Sequence, residues 1–246
     1  MSELDDLTAR TSTQLANMLL QIARMDPEHC GYDLSGQFVE RTRESILQEA
    51  LAAANITVTH RGWGIDYAVR GQILLELGDP KKYPAAISDV NIALEQSTPA
   101  QQVYNLSLRA AIKHNLGLAL QGDEAVDMLT DSLNDRITSM QRGLNPPEQH
   151  GLLAKTQAAL AEHKTGKERR DLLTNAAVHY EILLGKNPSA VEYGQLGYVL
   201  AELADTELDA DKRRGIKQRA VTAYEQAYKL EPSPELEERI EELKKI

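Results

Sequence analysis

The sequence predicts an all-α protein, a right-handed α-solenoid of stacked helical hairpins closed by a C-terminal capping helix. Three observations predict it. A triplet at four- and three-residue spacing recurs along the chain, as Ala220, Tyr224 and Ala227 with Pro232 following, and as Ala176, Tyr180 and Leu183 with Pro188 following. That spacing puts the three side chains on one helix face, where they can seat against another helix, and the proline stops the helix soon after. Looser copies stand at Ala86, Val90, Ala93 and Thr98, next to Pro99, and at Ala125, Leu129 and Ser132. Helices with an internal glycine precede several of these triplets, and a mid-helix glycine costs about 1 kcal/mol against alanine unless another helix comes close. Finally, Ala, Leu, Glu and Gln dominate, and the β-branched run Ile56-Thr57-Val58-Thr59 is nearly alone. Regular repeats of 34 to 50 residues are the mark of stacked hairpins.

In chain order, residues 1–61 read as an N-terminal helix pair, a divergent repeat or cap. Leu4, Leu7, Leu15, Leu19 and Ile22 fall at helical spacing over 3–25, and Asp26-Pro27 ends that helix. A loop over 26–36 leads to a second helix over 36–54, with Val39, Ile46, Leu47, Ala50 and Leu51 as its stripe and Asn55 as its cap. A DNA-binding helix-turn-helix is disfavoured, because its turn is 3–4 residues long and the second helix here mixes acidic with basic residues.

Residues 62–232 carry about four irregular hairpins. Gly62-Trp63-Gly64 reads as a turn that inserts the only tryptophan among neighbouring helices, the alternative being an exposed partner anchor. Tyr67 through Leu74 with Gly71, Asn115-Leu116-Gly117, and Tyr193 through Tyr198 with Gly197 mark three first helices, whereas the stretch Gly151–His163 is read without a notch. Over 233–246, Ser233 is an N-cap, Pro234 fits the first helical position, and Leu236, Ile240 and Leu243 line one face. Opposite lie Glu237, Glu238, Glu241, Glu242, Lys244 and Lys245, a solubilising cap or alternatively a partner-binding helix. The expected organisation is one continuous domain.

With these marks the chain resembles the tetratricopeptide-repeat (TPR) family, over residues 63–246 and most specifically over 67–94 and 193–232. The repeats depart from the family's length of about 34 residues. The interval from Gly197 to Ala220 is stretched, as is the unit ending at Pro188, and the unit at 113–133 is shortened. The resemblance implies a protein-interaction module, an adaptor or scaffold whose first helices line a concave groove for a peptide or partner helix, and an enzyme is not expected because the residues offer no convergent acid, base or metal site. Candidate groove residues are Gln72, Glu76, His114, Asn115, Gln121 and Tyr198. Asn115 matches one residue of the clamp that holds chaperone tails, but Ala68 and Gln72 stand where that clamp needs lysine and asparagine, which disfavours such a ligand. A regulatory domain sensing a ligand or peptide, and a self-assembling homo-oligomeric scaffold, are the alternatives.

Charge and chemistry narrow the function further. The formal net charge of -10 argues against nucleic-acid binding by counterion release. Arg169-Arg170 and Arg213-Arg214 precede their triplets by equal distances, which in a stack aligns them as a basic ridge for an acidic peptide, phosphate or anionic lipid, unless neighbouring acids neutralise them. The single cysteine, Cys30, permits no internal disulfide, and the first residues are acidic where a signal peptide is basic, so a reducing, cytoplasmic compartment is expected. No membrane span, cofactor or metal is expected. His29-Cys30 with Asp26, Glu28 and Asp33 is the one cluster with ligand chemistry, and Thr165-Gly166-Lys167 lacks the earlier glycine and strand of a phosphate loop.

Overall fold

The computed structural model describes residues 3–25 and 42–245, which hold eleven α-helices, one short 3-10 turn and no strand. The chain divides into two compact units, Met1–Ala119 and Leu120–Ile246. The boundary falls inside the shortened repeat at 113–133.

The first unit contains α1 (Glu3–Met25), α2 (Arg43–His60), α3 (Gly64–Glu76), α4 (Tyr83–Gln96) and α5 (Pro99–Ala119). Each helix packs on the next, and α3 also meets α1 and α5, so hairpins stack in chain order. Ala16, Leu19, Leu20 and Ala23 of α1 close on Ile46, Leu47, Ala50 and Ala54 of α2, and Val69 and Ile73 of α3 complete that core. Leu74, Tyr83, Ala86, Val90 and Ile112 form the next core, across α3, α4 and α5.

Helix α2, described from Arg43 with Thr42 as its N-cap, ends later than the sequence predicts. Residues 36–41 lie outside the described residues, and Asn55 sits inside the helix, which continues through the β-branched run to His60. Burial of Thr57, whose hydroxyl donates to the Ala54 carbonyl at 2.7 Å, outweighs the small helix penalty of branched side chains. Gly62, at φ +63, supplies the left-handed residue that stops the helix, and its N–H returns to the Thr57 carbonyl at 3.2 Å.

A buried ion pair ties the first three helices together. Asp66 of α3 is fully buried and takes the Arg61 guanidinium in a two-point contact, Nε at 2.9 Å to Oδ2 and Nη2 to Oδ1. Thr13 of α1 joins by accepting from Arg61 at 2.9 Å and donating to Asp66 at 3.1 Å. Beside it, Arg70 grips Asp89 of α4 through two bonds of 2.7 Å.

The second unit contains α6 (Gly122–Gln141), α7 (Pro147–Glu162), α8 (Gly166–Leu184), α9 (Ala190–Asp205), α10 (Ala210–Leu230) and α11 (Pro234–Lys244). Again each helix packs on the next. Its main core joins Ala154 and Ala161 of α7, Leu173, Ala176 and Tyr180 of α8, Val199 and Leu200 of α9, and Ala220 and Ala223 of α10. Val221, Tyr224 and Ile240 seat α11 on α10.

All four triplets are buried, which is why their spacing survives when the loops between them change. Two of the marked glycines, Gly71 and Gly197, face their triplets. A Cβ on Gly71 would stand 2.8 Å from Val90, and one on Gly197 2.8 to 2.9 Å from the Tyr224 ring. Gly151, contrary to the sequence reading, is also a notch: a Cβ there would stand 2.6 Å from Leu183 Cδ2. It meets the last residue of its triplet, whereas Gly71 and Gly197 meet the middle one. That offset hides the register in the sequence.

Candidate partner-binding site

The first turns of α3 and α5 and the end of α4 enclose a cleft of about 440 Å³ in the first unit. Gly64 lets α3 approach α4 there, since a Cβ would stand 3.0 Å from Gln96 Cβ. The cleft is rimmed by Trp63, Ile65 and Tyr104 and backed by Ala68, Gln101 and Asn105. Trp63 does not insert into the core as the sequence reading expects. It is 48 % exposed, and Tyr104 is 66 % exposed. The buried pair explains the position of the ring. The Trp63 main-chain N–H donates to Asp66 Oδ2 at 3.0 Å, and the Arg61 guanidinium lies 4.4 Å from the ring centroid, a cation–π contact on one face of the ring. Asn105, also held in place, donates to Ser97 Oγ at 2.8 Å.

The groove residues chosen from sequence divide between the two units. Gln72 and Glu76 come together on α3, Nε2 donating to Oε1 at 3.3 Å. Glu76 also clasps Arg24 of α1 at 3.0 Å and Arg43 of α2 at 2.6 Å. His114 and Asn115 lie half-buried on α5, Asn115 within hydrogen-bonding reach of the Tyr83 hydroxyl, whose pKa burial raises. In the second unit, Gln121 is the N-cap residue of α6, and Tyr198 of α9 donates to Glu162 Oε1 at 3.3 Å. Burial and the carboxylates of Glu162 and Glu202 push the Tyr198 phenol up. The residues that line the cleft lie nearer the N-terminal ends of α3 and α5 than the glycine marks from which the candidates were drawn.

Of the arginine pairs, Arg169 bonds Glu202, while Arg170 stands 3.7 Å from Glu207 and donates to the Thr206 carbonyl at 2.5 Å. Arg213 and Arg214 are exposed on α10. Among the described residues no three of His, Cys, Asp and Glu converge as a metal site, and the His29-Cys30 cluster lies outside them. Nor, among those residues, is any helix long and apolar enough to cross a membrane.

Sequence reasoning also passed over His150 and His179, which α7 and α8 bring to an Nδ1–Nδ1 distance of 3.0 Å. One ring must donate there and the other accept, so protonating both would set two N–H groups against each other. Burial, then the charge of His150, keeps the His179 pKa below its ordinary value. Its stabilising effect is therefore fully present above the unfolded value of about 6.5 and is lost as pH falls below it, because the unfolded chain binds a proton that the folded ring resists. Denaturant unfolding between about pH 7.5 and 5.5 should show this decline, and His179→Gln should flatten it.

No family model and no curated sequence matches the chain. Solved structures do. A thermophilic TPR protein of Thermus thermophilus aligns over 96 % of this chain and 100 % of its own, at 11 % identity and a TM-score of 0.58. The nuclear import adaptor Nro1 of S. pombe aligns over 97 % of this chain and 83 % of its own, at 14 % identity and a TM-score of 0.59. Identities this low speak to the fold, and the notched hairpins with buried triplets agree with it: the chain has the tetratricopeptide-repeat fold.

Proposed function

We propose that this chain is a protein-interaction adaptor or scaffold that takes a peptide or partner helix in the cleft between α3 and α5. The observation that carries the reading is a half-exposed tryptophan held rigid at the rim of a cleft with Ile65 and Tyr104 beside it. Tryptophan and tyrosine dominate interface hot spots because they bury large area at small entropic cost. Gln101 and Asn105 supply the polar groups that fix a main chain. The adaptor described among the structural neighbours lends support at the level of the fold.

Trp63 is the only tryptophan, so its emission reports the cleft. Peptides enriched from a displayed random library should shift that emission to shorter wavelength on titration. Tyr104→Ala should weaken the same peptides roughly 30-fold, about 2 kcal/mol. Peptides that bind Tyr104→Ala undiminished and leave Trp63 emission unchanged would sink the reading.

A further inference from the structure

The second unit contains its own template for a second ligand site. Arg169 and Arg170 stand seven and six positions before Ala176, and Arg213 and Arg214 stand seven and six before Ala220. What meets each pair differs. On α8 the end of α9 and the two residues after it answer with two carboxylates, Glu202 and Glu207, and the Thr206 main-chain carbonyl. On α10 no carboxylate of the described residues pairs with Arg213, Arg214 or Lys217. In place of an acid, α11 brings Leu243 and Lys244 to the same cleft, and Glu225 meets Lys244 at 3.0 Å.

These groups line a cavity of about 590 Å³ with Val221 on its wall and Asp205 as the lone carboxylate of its lining. We propose that this cleft binds an acidic peptide segment of a partner, whose carboxylates and main-chain carbonyl meet Arg213, Arg214 and Lys217 as the end of α9 meets Arg169 and Arg170. An apolar side chain of the same segment packs on Val221 and Leu243. Arginine forks favour carboxylates, and pairing them in a cleft yields more than at an open surface. A lone phosphate would leave most of the cavity and its apolar wall unfilled. A bilayer, being flat, would set its headgroups against Glu207, Asp209 and Asp211 around the start of α10 as well as against the cations, whereas a peptide seated in the cleft meets a lining with one carboxylate. The site is independent of the α3–α5 cleft.

The test uses the full chain and a labelled peptide that copies Glu202 through Glu207, read by fluorescence anisotropy. Its counterpart with every acid replaced by the matching amide is the control. The acidic peptide should bind and weaken steeply as salt rises from about 50 to about 500 mM. Arg213→Gln/Arg214→Gln should weaken it at least about tenfold. Lys167→Gln on α8 and Tyr104→Ala should leave binding unchanged. Failure of the acidic peptide to bind at millimolar concentration, or equal binding of the amide peptide, overturns the proposal. So does displacement by inorganic phosphate at concentrations equal to unlabelled acidic peptide, which would make the cleft a phosphate site. Recruitment to phosphatidylserine vesicles that depends on Arg213 and Arg214, without peptide binding, would make it a lipid site and equally overturns the proposal.

Discussion

Asp66→Ala should destabilise the first unit by about 3 to 5 kcal/mol, read as a fall in the denaturant midpoint followed through Trp63 emission. The size follows from burial. Asp66 has no exposed surface and the Arg61 side chain retains 6 % of its own, so removing the carboxylate strands a guanidinium away from water. An exposed pair such as Arg239–Glu242 has water as a substitute partner and contributes about 0 to 1 kcal/mol. Asp66→Ala also removes the acceptor for the Trp63 main-chain N–H and one partner of Thr13, so α1, α2 and α3 lose their common anchor. Most of the loss is the penalty of an unpaired charge, and a second variant separates it from the worth of the pair. Arg61→Met/Asp66→Leu removes both charges and refills the space, and should recover most of the stability. The Trp63 ring loses its cation–π partner in the double variant, and in Asp66→Ala it loses the carboxylate that holds that partner in place, so peptide binding in the α3–α5 cleft should weaken even where stability returns. A midpoint within about 1 kcal/mol of wild type for Asp66→Ala would show that water reaches Arg61 freely.

The fold was legible because its determinants are local. Triplets at four- and three-residue spacing, prolines just beyond them, and the Ser233-Pro234 start of α11 each act within a turn or two of helix, and each lies where its spacing predicts. Gly151 was missed because it meets Leu183, one step along the triplet from the residue that Gly71 and Gly197 meet. Its interval to Ala176, 25 positions, is close to the 23 from Gly197 to Ala220, so the signal lay in comparing the two stretched repeats with each other. The site was far less legible. Arg61 and Asp66 are only five residues apart, yet nothing local says that both are buried, because Thr13 and the packing of α1 bury them. Trp63 reads as core by its size and as surface only once Arg61 is seen to occupy one of its faces. Arg136 is a parallel case in the second unit: burial pulls its guanidinium down to about 10, and its Nε donates to Thr156 of α7 at 3.0 Å. In an amphipathic pattern that residue counts as surface.

Gly197→Ala should cost up to about 2 kcal/mol, although alanine is the better helix former by about 1 kcal/mol. The new methyl would stand 2.8 to 2.9 Å from three atoms of the Tyr224 ring, closer than side-chain carbons approach. That ring cannot move aside, because Val221 and Ile240 pack against it and α11 is seated on it. Overpacking of this kind costs about 1 to 3 kcal/mol, which outweighs the propensity gain. Gly194, three residues earlier on α9, is the internal control. A Cβ there meets nothing within 4 Å, so Gly194→Ala should stabilise by about 1 kcal/mol. The double-mutant cycle then locates the cause. Tyr224→Leu destabilises on its own by opening a cavity, but in its presence Gly197→Ala should become neutral or favourable, since the methyl fills space that the ring has left. If Gly197→Ala instead stabilises as much as Gly194→Ala, the notch is not a packing device, and the recurrence of glycine opposite the triplets has some other origin.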